Sequence, residues 1–161
     1  MKGNLSVQRP TAAVTAALLL ALALTGGRAA AAAPERPVAQ AARTIAVSEH
    51  ASLRLIRKSG STLYEAGTVT GTLAGTVTAR LNTSVTRVTG WVRIRARGGT
   101  LTMSLNGRPR SAGVNVRFGG TMRVTGGTGR YARARGSARF SGVVNRRSWA
   151  ATVDARGRLS Y

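Results

Sequence analysis

From Ala51 to the C-terminus, apolar and polar residues alternate in short runs broken by Gly, Asn and Ser. A period of two sends successive side chains to opposite faces, the mark of a half-buried strand. The runs predict strands near 51–58, 62–73, 76–83, 85–97, 100–107, 111–125, 136–144 and 148–160. The connections are two to five residues long, which suits antiparallel hairpins and leaves no room for a crossover helix. Leu101, Met103 and Leu105 share one face, Val114, Val116 and Phe118 a second, and Trp149, Ala151 and Val153 a third. Eight sequential strands with one apolar face each predict an all-β fold, a single eight-stranded antiparallel up-and-down barrel. Closure buries those faces and removes the sheet edges. A two-sheet sandwich is the alternative packing. The repeated "GTVT" at Gly67 and Gly75 reads as the two sides of one hairpin.

Upstream the texture changes. Lys2 and Arg9 precede an apolar run, Ala12–Leu24, and a small-residue stretch follows at Ala29–Ala33. Basic, apolar, then small is the order of a secretory signal peptide, assigned to residues 1–33. A helix over the apolar run rises only about 20 Å, against a hydrocarbon core of roughly 30 Å, so a transmembrane span is not expected. The reading implies a secreted, extracellular protein, with cleavage between Ala30 and Ala33. Residues 34–50 read as a flexible arm rich in Ala, Pro and Arg, and 51–161 as the barrel domain.

Charge sharpens this picture. The chain has 25 Lys and Arg against 4 Asp and Glu. Removing residues 1–33 takes away Lys2, Arg9 and Arg28, which leaves 22 basic residues, a net charge of +18, and Lys58 as the only lysine. The arginines are dispersed rather than clustered. They predict electrostatic adsorption to anionic polymers, screened away by salt, and no specific nucleic-acid surface. With no Cys and the single His50, most metal sites are excluded, and no metal or cofactor is expected.

One motif invites a different reading. Gly127-Thr-Gly129-Arg-Tyr-Ala132 has the G-x-G-x-x-A spacing of a dinucleotide loop, which requires a helix after the glycine turn. Here Gly136 interrupts the following stretch and strand alternation returns, so Gly126, Gly127, Gly129 and Gly136 read as structural turn glycines. The pattern Gly126-Gly-Thr-Gly129-x-Tyr131-x-x-Ala134-x-Gly136, then a strand and Gly142, resembles the signature of the allene oxide cyclase–dirigent barrel superfamily, in particular its small exported bacterial members. Tyr64–Leu81 (YEAGTVTGTLAGTVTARL) is similar to their early hairpin. The resemblance implies an eight-stranded barrel with a central cavity and a small hydrophobic ligand. The plant enzymes' catalytic residues have no counterparts here, and fold alone does not carry activity.

Candidate chemistry is sparse. Glu49 is read as lying just before the first strand, and Asp154 on an outer face. Glu65 alternates with Leu63 and Val69, which points it into the barrel as a candidate acid, base or ligand anchor. The competing expectation pairs it with Arg93 or Arg95. Trp91, Arg93 and Arg95 are candidate ligand-binding residues, although a strand Trp more often belongs to a core. Ser48, Glu49 and His50 lack the rigid setting and oxyanion hole of a hydrolytic triad. These features favour a non-enzymatic exported binder of a small apolar ligand or an anionic surface polymer. The alternative is a cyclase-like isomerase acting on a lipid-derived substrate inside the barrel.

Overall fold

A computed structural model describes residues 43–161. The signal peptide assigned to 1–33 and the first part of the 34–50 arm lie outside the described residues. Eight strands follow in order: β1 Thr44–Ser59, β2 Thr62–Gly71, β3 Gly75–Thr83, β4 Val88–Ala96, β5 Gly99–Pro109, β6 Asn115–Gly127, β7 Arg135–Asn145 and β8 Ala151–Ser160. Each pairs antiparallel with the next, and β1 pairs with β8, so the sheet is a closed up-and-down barrel. One short 3-10 helix, Gly129–Tyr131, interrupts the β6–β7 connection. Among the described residues no helix is long and apolar enough to cross a membrane.

The alternation works as expected in the middle of each strand. Leu53, Val69, Val77, Ile94, Leu101 and Phe140 are among the residues that point inward and build one core. The arginines between them point out. Two bulges adjust the phase. A register shift between Leu55 and Arg57 leaves Ile56 unpaired and 70% exposed. A second, opposite Thr102 and Met103, leaves Thr125 unpaired on β6. Bulges of this kind increase local twist and help a sheet curl.

Several boundaries differ from the sequence expectation. β1 begins at Thr44 rather than Ala51, so the second part of the expected arm is a barrel strand. Its N-terminal half pairs with β8, from Thr44 opposite Ser160 to Leu53 opposite Ala151. Residues 85–87 and 111–114 are connections, and Val114 is exposed rather than part of the β6 face. Trp149 falls in the β7–β8 turn with φ of +55°, and Lys58 Nζ lies 4.8 Å from the centre of its ring.

The glycine-rich stretch is likewise redistributed. Gly126 and Gly127 are the last residues of β6 and Gly136 lies in β7, so only Gly129 belongs to the reversal itself. Gly129 has φ of +59°, and a Cβ there would collide with the Gly98 carbonyl. A Gly129→Val change combines left-handed strain with that collision. It is expected to lower unfolding free energy by about 1 kcal/mol or more, read by denaturant titration. No strand–turn–helix phosphate cradle forms here.

Candidate functional site

Inside the barrel lies an apolar cavity of about 90 Å³. Its wall is almost wholly hydrocarbon, contributed by every other residue of successive strands. Two carboxyl side chains break that surface, Glu49 from β1 and Glu65 from β2. Among the described residues they are the only buried charged or polar side chains, 9% and 4% exposed. Ser137 and Arg158 border the cavity as well, but both are exposed and take the outward parity of β7 and β8.

Glu65 sits on β2 between Leu55 of β1 and Ala79 of β3. Burial among apolar side chains pushes its carboxyl up from the ordinary 4.5 to about 7. Its Oε2 has no hydrogen-bond partner. Arg93 and Arg95, its expected partners, project from the outer face of β4, while their neighbours Val92 and Ile94 face the lumen. A strand wall separates the charges, so the ion pair expected from sequence does not form. The parity of β4 already carried this information, because residues 92 and 94 are apolar and residues 93 and 95 are not.

Glu49 is the residue that sequence reading missed. Ile45, Val47, Ala51 and Leu53 lie on its face of β1, so backward extension of the alternation would have placed it inside. The Leu73 N–H donates to its Oε1 at 2.8 Å, while Oε2 lacks a partner. Burial raises its pKa, and hydrogen bonds from the backbone of Leu73 and Thr72 partly oppose the rise. Glu49 thereby ties the β2–β3 hairpin to the barrel, with Leu73 buried beside it. Glu65 pairs with Leu55, six residues beyond Glu49 on β1. At about 3.3 Å per residue the two Cα atoms are roughly 20 Å apart, too far for a paired-carboxylate glycoside hydrolase.

The remaining candidates lie outside the lumen. Trp91 is 36% exposed on the outer wall, with the Arg93 guanidinium 5.3 Å from its ring centre. His50 Nδ1 and Asp154 Oδ1 form an exterior contact of 2.8 Å. This places Asp154 outside, as its alternation implied, and occupies His50 away from Ser48. Among the described residues no cluster of three His, Cys, Asp or Glu side chains can hold a metal. Compared with protein-family models, with curated proteins and with solved structures, the chain matches none.

Proposed function

We propose that this protein is an exported, non-enzymatic β-barrel whose lumen binds a small apolar molecule carrying one polar oxygen. The observation that carries the reading is Glu65: a buried carboxyl with a free Oε2, set in an otherwise hydrocarbon cavity. An unpaired buried polar group is costly and is retained where a ligand completes it. Near neutral pH a protonated Glu65 donates to a carbonyl or ether oxygen, while the surrounding Leu and Val side chains cover the apolar body. The resemblance of the glycine-rich segment to exported barrels of the allene oxide cyclase–dirigent group supports the same reading.

Size favours binding over cyclase-like isomerisation. Pockets that enclose drug-sized ligands span roughly 300–1,000 Å³. A lumen of about 90 Å³ admits a short ketone or ether but not a lipid-derived chain. Glu65 also lacks a second group for proton relay, since the other lumen carboxyl, Glu49, is held by the β2–β3 hairpin roughly 20 Å away along β1.

The test is a titration of the purified protein with 2-pentanone and with pentane, followed by lumen methyl shifts in NMR. The ketone is expected to bind more tightly than the alkane by about tenfold, the value of one good hydrogen bond. In Glu65→Leu that preference should vanish. Equal affinity for the two probes in the native protein, or no binding of either, overturns the proposal.

A further inference from the structure

The outer wall holds a second concavity. Between β4, β5 and the end of β6 an open groove of about 500 Å³ runs beside Arg93 and Arg95. The unpaired Thr125 lines it, and Gly126, opposite Thr102, leaves its floor without a side chain. Gly126 is not left-handed, and a Cβ built there meets nothing within 4 Å. Neither backbone conformation nor packing requires glycine at this position. Its effect is an empty groove.

The walls are chemically specific. Arg93 and Arg95 stand two residues apart on one face of β4, both exposed. The only outward side-chain carboxylate among the described residues, Asp154, lies on β8 and is engaged by His50, four strands away in the ring of eight. Among the described residues the two guanidiniums therefore have no side-chain counter-ion. Across from them the threonines are fixed by backbone contacts. The Thr125 hydroxyl donates to the Thr102 carbonyl at 3.2 Å, which leaves its oxygen free to accept. The Thr128 oxygen accepts from the Thr100 N–H at 3.1 Å, which leaves its hydrogen free to donate. Cations on one side and mixed hydroxyl donors and acceptors on the other match a ring that carries both an acid group and hydroxyls.

We infer that this groove is a binding site for an acidic saccharide, a uronate-type unit of an anionic polysaccharide. The arginines take the carboxylate, with the planar guanidinium geometry that suits bidentate pairing. The threonine hydroxyls take the ring hydroxyls, and the bare floor at Gly126 lets the ring lie flat. A bare phosphate chain, which has acceptors only, would leave the free Thr125 oxygen without a donor. Stacked nucleobases would need open aromatic faces, and Arg93 already covers one face of Trp91. The site is separate from the lumen and does not depend on Glu65.

The experiment titrates tetragalacturonate into the purified protein at physiological salt, by calorimetry, with three variants. Gly126→Val fills the groove without changing charge, and should weaken binding about tenfold or more while thermal unfolding is unchanged. Arg93→Gln with Arg95→Gln removes two charges at the groove and should weaken it at least as much. Arg139→Gln with Arg156→Gln removes two exposed charges from β7 and β8, and should change binding less than about threefold. Equal losses in the two arginine pairs would reduce the groove to a diffuse cationic surface and overturn the inference. So would native affinity in a folded Gly126→Val, no binding by the native protein, or tighter groove-dependent binding of an oligothymidylate of equal charge. If Gly126→Val does not fold, the arginine pairs decide alone.

Discussion

Replacing Glu65 with Leu is expected to stabilise the barrel at pH 8 by about 3 kcal/mol and to remove most of the pH dependence of its stability. The carboxyl titrates near 7 in the folded chain against an ordinary 4.5, with burial as the cause. Between those values the folded state holds more protons than the unfolded state. Stability therefore falls as pH rises from about 4.5 to about 7 and levels off above, where the full cost of a buried carboxylate is present. Glu49 is shifted in the same direction and adds to the slope. Among the described residues no cation relieves Glu65: burial is the cause of its shift, the arginines of β4 project outward, and Arg158 at the cavity border is exposed. Most proteins lose stability in mild acid as paired carboxylates are protonated; this barrel should gain it. Denaturant unfolding at pH 5 and pH 8 measures the effect. A native protein equally stable at both values, or a Glu65→Leu variant less stable at pH 8, would show that Glu65 is solvated or paired in solution.

Leu101→Ala should have an opposite effect of similar size, a loss of about 3–5 kcal/mol. Leu101 is the largest fully buried side chain, placed on β5 between Ile94 of β4 and Gly127 of β6. Truncation removes hydrocarbon from the core and leaves a void. A closed barrel collapses poorly into such a void, since every strand is hydrogen-bonded on both sides and cannot shift alone. Because Leu101 also lines the lumen, the variant should accept larger ketones than the native protein at the expense of stability. A loss below about 1 kcal/mol would mean that the lumen wall is not a tightly packed core.

The sequence by itself determined the class of fold and much of its polarity. Period-two alternation with short polar breaks admits sequential antiparallel strands and little else. The parity of Leu63, Glu65 and Val69 placed Glu65 inside, and the same parity placed Asp154 outside. Tertiary structure decided where that pattern begins, what its charges meet and where the wall is hollow. Residues 44–50 carry alternation too weak to stand out beside an Ala- and Pro-rich segment. They become strand because closure brings β8, some hundred residues later, alongside to accept and donate their backbone hydrogen bonds. Glu49 is buried by that pairing, and by a hairpin whose Leu73 N–H no local signal assigns to it. Gly126 resembles any turn glycine in the sequence, yet in the barrel it floors a groove, because an unpaired Thr125 advances the phase of β6 by one residue. Alternation records which face a side chain takes within its own strand. Register, bulges and closure are set by partners distant in the chain, and they alone determine which side chains share a cavity.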